Sequence, residues 1–437
     1  MKSATPLKRG LTSTLVLTLC ISLLGPLGLT SFSSAHAAAN EVYSVSDTLI
    51  ITPENLAAYL YAENTDIALQ MNNVMKSRDR LSIARANLLP SLSFNILLPL
   101  TMNPRFLVSS ISCLVPFLFP TNWFNKKAAK ANYWAEYQGY LTTKLNTYAT
   151  AATLMSSVAG DEAIYKVLLV QRQKLSDYVN QLKLEAELGL IPNNEKLRGE
   201  IELNRLDSDV SKVEQLVITE HAELRKMFGF DLDQKFDLRF HEFGPSTIET
   251  ADMNKSVDDA LNQSPELQQL MYLHTSARAG VHSAQWAFLS GCSGNQGTIG
   301  AGAFAASTSA NVNIGFGYFP TIRLARKNVV EIEIRERELG YEFGRVIETT
   351  RATLKEGSER EALSLDTAAK AETMLEQQMA MFELGQVSVK EVLDTMAAIS
   401  QAKIEAMSTH TTLVGNRITL KRVGMEGPFQ AMLNGEL

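Results

Sequence analysis

The chain has 437 residues and carries 41 Lys and Arg against 47 Asp and Glu, a formal net charge of −6. This balance excludes the basic footprint that nucleic-acid binding needs, so we expect no nucleic-acid partner. Beyond residue 39, no stretch reaches the roughly 18 to 20 uncharged apolar residues of a membrane-spanning helix, so any entry into a membrane must use strands.

The first 39 residues are typical of a secretory signal peptide. A basic start that includes Lys8 and Arg9 precedes an apolar run over residues 11–29. Small residues offer cleavage sites near 37–39, before the polar mature chain begins at Asn40. The alternative is an uncleaved anchor helix, which the Gly and Pro residues within the apolar run disfavour.

The mature chain begins with two predicted helical segments around a pair of strands. Residues 56–89 are helical in composition, and residues 127–188 continue without proline. At 1.5 Å per residue, the second helix reaches roughly 90 Å. A helix of this length cannot be enclosed by one compact domain, so we expect an extended assembly.

Apolar residues follow alternating four- and three-residue steps along this long helix and along the helix after it. This is the a/d spacing of coiled-coil packing, with Gln171 as a polar interruption. An ordinary helical bundle is the alternative. The apolar positions are Ile164, Leu168, Leu175, Tyr178 and Leu182, then Leu206, Val210, Val213 and Val217.

Period-two alternation predicts one β-hairpin in each half of the chain, over residues 91–119 and 297–319. Leu92, Phe94 and Ile96 share one face of the first strand. Each strand has about the 9 to 11 residues that a tilted membrane strand needs.

The chain contains an internal repeat with a period of about 200 residues. Phe-Pro-Thr at 119–121 recurs at 319–321, and Glu-Leu-Gly at 187–189 recurs at 383–385. Several matches at nearly one offset, at equivalent places in the predicted structure, indicate a duplication.

We therefore divide the mature chain into two repeats, 40–243 and 244–437. Each is predicted to contain a helix, a β-hairpin, a long helix, a tip turn and another helix. The tip turns fall at 188–194 and 384–388.

Four strands cannot close a membrane barrel, because open edges leave backbone groups unsatisfied in lipid. Closure therefore requires several protomers. We predict that aromatic residues near the junctions of strands and helices form a belt at one membrane interface. The alternative is a soluble hairpin with aromatic residues in its core. The predicted belt comprises Trp123, Phe124, Trp286, Phe288, Tyr318 and Phe319.

Catalytic, metal-binding and cofactor motifs are not found in the sequence. The histidines are scattered, without a His-Glu-x-x-His pattern or a phosphate-binding glycine loop. Cys113 and Cys292 lie in strand-like segments, where two free thiols are favoured over a disulfide, although spacing leaves the pairing open. We therefore expect no enzyme activity and no cofactor.

At the level of motifs, the mature chain resembles the outer-membrane efflux proteins of the TolC-like type. The resemblance rests on Ala-x-x-x-Leu-Leu-Pro ending at Pro90, on Pro-Glu-Leu at 265–267, and on the helix-tip phrase over 382–394. The motifs are weak one by one, and their order together with the duplication makes the combination specific.

This resemblance implies an α+β membrane protein that forms a homotrimer. Each protomer would give four strands to a 12-stranded outer-membrane β-barrel, continuous with a long periplasmic α-helical coiled-coil barrel. Such proteins lie in the outer membrane of Gram-negative bacteria, in contact with its lipid, and serve as passive exit ducts for tripartite efflux pumps or type I secretion systems. Their partners are a periplasmic adaptor protein and an inner-membrane pump or ABC transporter.

The resemblance also assigns the tips to adaptor contact and two acids to the pore entrance. Glu391 and Asp394 lie three residues apart on one helix face, where three copies would form two acidic rings that favour cations. The alternative reading is a helix cap and a solvated surface charge. The tip residues are Leu188, Gly189, Leu190, Ile191, Leu384, Gly385, Gln386, Val387 and Ser388.

Several residues depart from the family pattern. Ser290 replaces an expected proline, Pro192 and Asn193 lie in the first tip, and Val387 stands where some relatives carry a basic gating residue. Identical gating of the tips is therefore not implied. A periplasmic or surface coiled-coil scaffold that never spans the membrane is the competing function.

Overall fold

The computed structural model describes residues 49–89, 116–289 and 316–435. The predicted signal peptide, Cys113, Cys292 and most of both predicted hairpins lie outside the described residues. Within the described segments, no helix is long and apolar enough to cross a membrane.

Helices dominate the first half of the chain. After a short strand, the elements are α1 (Leu56–Glu63), α2 (Thr65–Ala86), α3 (Pro120–Glu187) and α4 (Asn193–Phe228). At 68 residues, α3 spans roughly 100 Å.

The single helix predicted over 56–89 is two helices, because Asn64 caps a new start. The Asn64 side chain accepts hydrogen bonds from the backbone N–H groups of Asp66 and Ile67 at 3.0 and 3.1 Å. The backbone of Asn64 is extended, as expected for an N-cap residue. The prediction of one continuous helix was therefore wrong at this position.

The second half repeats the order of the first, with α5 (Met253–Gln263), α6 (Pro265–Gln285), α7 (Tyr318–Glu383) and α8 (Val389–Val423). A final short helix, α9, covers Pro428–Asn434. Thus each half contains two shorter helices, a helix of more than sixty residues, a tip turn and another long helix.

The last residues of both predicted hairpins are not strands. Residues Pro116–Leu118 form a 3₁₀ turn, and α7 already begins at Tyr318. Pro120 and Pro320 explain the difference, because proline has no N–H to offer a strand and is well tolerated in the first helical turn. The predicted strand ends at Phe119 and Phe319 were therefore wrong.

Two three-residue strands, β1 (Leu49–Ile51) and β2 (Phe236–Leu238), pair in parallel. Leu49 faces Phe236, and Ile51 faces Leu238. The pair adjoins the largest hydrophobic cluster of the described residues. At its centre, Tyr148 packs edge-on against Phe429 with ring centroids 5.3 Å apart.

The long helices lie side by side. Helix α3 packs against α2, α4, α6 and α8, whereas α7 packs mainly against α8, α6 and α5. Thr121 at the start of α3 lies beside Trp286 at the end of α6, and Gly160 in its middle faces Thr411 of α8. Helix α3 thus contacts other helices along its length.

The predicted coiled-coil seam of α3 is buried. Leu168 is 1% exposed, Leu182 is fully buried, and the polar interruption Gln171 is buried with them. On α4, Val210 is buried while Leu206 and Val213 are half-buried. Burial of each leucine contributes roughly 1.5 to 3 kcal/mol, so this seam fixes the α3–α4 pairing.

Candidate functional site

The two tip turns have the same backbone geometry. Gly189 and Gly385 adopt φ values of +74° and +69°. After Gly189, the Leu190 N–H donates to the Glu185 carbonyl at 2.9 Å, and the Gln386 N–H donates to the Met381 carbonyl at 3.0 Å. Each tip is therefore a Schellman motif, in which the left-handed residue is best supplied by glycine.

The apex of each tip is apolar and open to solvent. Leu188, Leu190 and Leu384 are 74%, 71% and 72% exposed. Ile191 and Val387 instead pack partly onto a buried cluster below the tips. Gln386 and Ser388 are both exposed beside them. Exposed leucines next to a buried hydrophobic cluster are typical of a contact surface for another protein.

One hydrophobic cluster joins the two tips. Tyr178 of α3 contacts Phe382 of α7 edge-on, with ring centroids 5.6 Å apart. Val392 and Leu393 of α8 are buried in the same cluster. The two tips therefore lie together at one end of the helices, although their sequences are about 196 residues apart.

The helix after the second tip begins at a serine cap. Ser388 Oγ accepts a hydrogen bond from the Glu391 N–H at 3.4 Å. The reciprocal bond from the Ser388 N–H to the Glu391 carboxylate is not formed in the described structure, so only half of a capping box is present. The first tip has Pro192 at the equivalent position, without a side-chain cap.

Glu391 and Asp394 are both exposed, on the side of α8 away from the buried Val392, Leu393 and Met396. Neither carboxylate forms an ion pair with a described residue. The structure thus leaves both charges available to solvent near the tips.

Aromatic residues lie at the opposite end of the helices, next to the two predicted hairpins. Trp286 stacks on Phe288 at 6.1 Å between centroids, Phe288 meets Tyr318 edge-on at 6.2 Å, and Tyr318 meets Phe319 at 5.4 Å. The Tyr318 hydroxyl donates to the Gln285 carbonyl at 2.8 Å. These four aromatic residues form one connected group.

The remaining two residues of the predicted belt lie at the start of α3. The Trp123 ring N–H donates to the Phe117 carbonyl at 2.8 Å, and Phe124 stacks on His282 with centroids 5.1 Å apart. The Thr121 hydroxyl donates to the Trp286 carbonyl at 3.0 Å, which ties α3 to the other aromatic group. All six residues therefore occupy the same end of the helices.

A titratable cluster between α3 and α4 was not predicted from the sequence. Burial raises the pKa of the Glu220 carboxyl to about 7, and the nearby Asp161 carboxylate adds to the shift. Burial also raises the pKa of Asp161. His221 lies 3.2 Å from Glu162 beside them. No sequence signal identifies this cluster, because it depends on the register between two helices.

The equivalent level of the second half holds a different cluster. His410 of α8 contacts Glu361 through Nδ1 at 2.9 Å and Glu242 through Nε2 at 3.1 Å. In the described part of the chain, no group of three or more His, Cys, Asp or Glu side chains is arranged to hold a metal ion.

Side-by-side long helices, with paired tips at one end and aromatic residues at the other, form a fold that solved outer-membrane channels share. The resemblance to TolC-like proteins is confirmed at the level of this fold. A comparison of the sequence with protein-family models gives no match, and neither does a comparison with curated proteins.

Three solved structures illustrate the similarity. The CmeC outer membrane channel of Campylobacter jejuni superposes with a TM-score of 0.69 at 12% identity, covering 88% of this chain and 89% of that chain. The outer membrane protein VceC of Vibrio cholerae gives 0.68 at 12% identity, with 86% and 96% covered. The open state of the Neisseria gonorrhoeae MtrE outer membrane channel gives 0.64 at 15% identity, with 85% and 88% covered.

Proposed function

We propose that this protein is the outer-membrane exit duct of a tripartite efflux pump or type I secretion system in a Gram-negative bacterium. It conducts its cargo passively from periplasm to exterior and catalyses no reaction. The observation that carries the proposal is a wall of long helices with the fold of outer membrane channels. The inner-membrane partner supplies the energy.

The exposed edges of this wall support assembly into a homotrimer. Helix α7 leaves Ile334, Tyr341 and Leu363 exposed along its length. On the other side, Leu69 of α2 and Ile201 of α4 are exposed as well. Apolar edges of this kind mark interfaces. Contact between α7 of one copy and α2 and α4 of the next covers both edges and closes a tunnel.

The membrane part of the proposal rests on the two repeats, 40–243 and 244–437, that follow the signal peptide. Each repeat contributes one hairpin, within residues 91–115 and 297–315, so three copies supply twelve strands. A closed barrel leaves no strand edge in lipid. The six aromatic residues near the hairpins then lie at the periplasmic interface of the outer membrane.

The tips are proposed to contact the periplasmic adaptor. Their exposed leucines provide apolar contact area. Gly189 and Gly385 lie in open space at the apex, because a Cβ added at either position would have no neighbouring atom within 4 Å. Replacement of either glycine by Arg is expected to weaken crosslinking to the adaptor while trimers persist. Unchanged crosslinking and unchanged export in both variants would refute the docking role.

Glu391 and Asp394 are proposed to form acidic rings at the pore entrance. Replacing both by Ala is expected to lower the cation preference of the reconstituted pore several-fold, because fixed negative charge attracts cations. Reversal potentials under a salt gradient measure the effect. Glu359→Ala, an exposed acid on α7, is the matched control. Equal ion preference in all three proteins contradicts the assignment.

Membrane fractionation tests the proposed location. The mature protein is expected in detergent-extracted outer membranes as trimers that dissociate on heating. A product found only in the soluble periplasmic fraction favours the coiled-coil scaffold instead.

A further inference from the structure

Charge is distributed unevenly along the helices near the aromatic end. Residues 120–135, 267–289 and 316–330 contain no Asp or Glu, although the whole chain carries an acidic excess. Beyond residue 330, α7 becomes rich in glutamate, with six between 331 and 348. We refer to eight cations at this end as the basic collar: Arg85, Lys126, Lys127, Lys130, Arg278, Arg323, Arg326 and Lys327.

The collar cations have no acidic partner among the described residues. Lys126 instead lies over the ring of Trp123, 5.1 Å from its centroid. Further along α7, by contrast, Arg335 pairs with Glu331 at 2.6 Å. Neither α3 nor α7 has an acidic residue in its first turn, next to the collar. None of these eight charges is therefore neutralised by an ion pair within the described protomer.

Part of the collar lines a groove between α6 and α7. The groove has a volume of about 430 Å³ and is lined by Arg278, Val281, His282, Arg326 and Val329. Two guanidinium groups and an imidazole thus line the groove together with two valines. This combination suits a phosphate group attached to an apolar body, because arginine binds phosphate through its planar fork.

The groove and the aromatic group share one face of α6. Arg278, His282 and Trp286 are spaced four residues apart, so they follow one side of the helix, and none of the three is buried. A face that places Trp286 at a membrane interface places Arg278 and His282 just below it. Arg278 lies eight residues from Trp286, roughly 12 Å along the helix, which is within or just beyond the headgroup layer.

We propose that the basic collar binds the headgroups of anionic phospholipids in the periplasmic leaflet, with the groove at Arg278 and Arg326 as its most specific position. The proposal rests on the proposed placement in the outer membrane. Basic residues next to a membrane-embedded segment attract anionic lipid electrostatically, and each adds to the attraction. The collar thereby fixes the depth of the trimer in the bilayer.

Native mass spectrometry of the full mature protein tests this directly. The trimer is reconstituted in nanodiscs of phosphatidylcholine with about 20% phosphatidylglycerol, on the order of an anionic bacterial leaflet, then released, and the retained lipids are identified. We expect phosphatidylglycerol to be enriched, and Arg278→Gln/Arg326→Gln to reduce the enrichment roughly fivefold or more, because two cations are removed from one groove. Equal retention of both lipids by the wild type would overturn the proposal.

Lys355→Gln/Arg360→Gln is the matched control. It also removes two exposed cations from one helix, about 50 Å from the collar, and is expected to leave the enrichment unchanged. An equal loss in both variants shows a general effect of net charge and contradicts a localised site.

Three further measurements test the electrostatic origin of the binding and separate a lipid site from a free-phosphate site and from a lumen-facing groove. Enrichment in the wild type is expected to fall as NaCl is raised, which tests the electrostatic origin without any mutation. Inorganic phosphate is expected to compete no better than chloride at equal ionic strength, and stronger competition means that the groove takes free phosphate instead. If Arg278→Gln/Arg326→Gln alters ion selectivity but not lipid retention, the groove faces the lumen and the proposal is wrong.

Failure of the lipid proposal is distinguishable from failure of the channel proposal. A wild-type protein that inserts into nanodiscs and conducts ions, but retains no excess anionic lipid, contradicts only the collar. A wild-type protein that does not enter bilayers contradicts the outer-membrane placement itself.

Discussion

The two longest helices occupy equivalent places in the two halves of the chain, yet their surroundings differ. Helix α3 has 68 residues, nineteen of them buried, whereas α7 has 66 residues with only nine buried. Helix α3 packs against α2, α4, α6 and α8, and α7 has exposed apolar residues along its length. The difference shows that α3 lies among other helices of the protomer, whereas α7 leaves apolar residues exposed on the edge that we propose contacts a neighbouring copy.

The two tips show the opposite case, because they have the same backbone geometry despite different flanking sequences. Both contain a left-handed glycine and the same pair of backbone hydrogen bonds. One is followed by Pro192 and the other by the Ser388 cap. The turn geometry is therefore set by the backbone, while the caps vary.

The largest effect is expected from truncation of a buried leucine on α3. Leu168→Ala should lower the free energy of unfolding by about 2 to 5 kcal/mol, because it leaves a cavity in the seam with α4. Leu363→Ala on α7 should change protomer stability by less than about 0.5 kcal/mol, since Leu363 is 66% exposed. Denaturant unfolding of both variants in detergent measures the difference. Equal losses would remove the contrast between the two helices.

A charge on the open edge of α7 is expected to disrupt assembly rather than folding. Leu363→Asp should reduce the trimer fraction roughly tenfold, because the interface must then bury an unpaired carboxylate (a tenfold change corresponds to about 1.4 kcal/mol). Analytical ultracentrifugation and circular dichroism separate assembly from helix content. The control is Gln401→Asp on α8, a helix that α3 and α7 flank within the protomer. Intact Leu363→Asp trimers would show that this edge is not an interface.

The tip glycines are expected to respond to alanine with the opposite sign from a helical glycine. Gly385→Ala should destabilise the tip by about 1 kcal/mol, because alanine disfavours positive φ. Gly344→Ala, within α7 and with open space at its Cβ, should stabilise its helix by up to about 1 kcal/mol. Hydrogen exchange of the neighbouring amides measures both. A stabilised tip in Gly385→Ala contradicts the left-handed turn.

The smallest effect is a pH dependence confined to the first half. Because the pKa of Glu220 is raised to about 7 in the folded protein, its contribution to stability is complete below about pH 4.5 and is lost as pH rises through 7. Glu220→Gln, which cannot titrate, should therefore flatten the fall in melting temperature between about pH 5 and pH 8. Glu214→Gln, an exposed carboxyl on the same helix, is the control. Parallel profiles for wild type and Glu220→Gln would contradict the shift.

The long helices and their seams could be predicted because they depend on local spacing. Leu168 and Leu182 follow a repeat that is visible in the sequence, and burial followed from it. The glycine breaks at 189 and 385 were likewise predicted, since few other residues accept positive φ. The tip roles, the acidic rings, the aromatic belt and the hairpins remain predictions.

The features that were missed depend on long-range placement. The β1–β2 pair joins three-residue segments almost 190 residues apart, too short to show a periodicity. Asp161 and Glu220 meet only because of the register between α3 and α4. The break at Asn64 could have been found, because Asn before Thr-Asp is a recognisable N-cap signal. The strand ends were misplaced because the apolar alternation continues into residues that Pro120 and Pro320 direct into helices.

Planar-bilayer recording of the purified mature protein, combined with the mass of the same detergent-solubilised sample, tests the central claim most directly. If three copies close one duct, the sample has the mass of a trimer and gives discrete steps of ionic conductance, and Leu363→Asp lowers the trimer fraction and the conductance together. A monomer that stays soluble without detergent and produces no conductance would contradict the account.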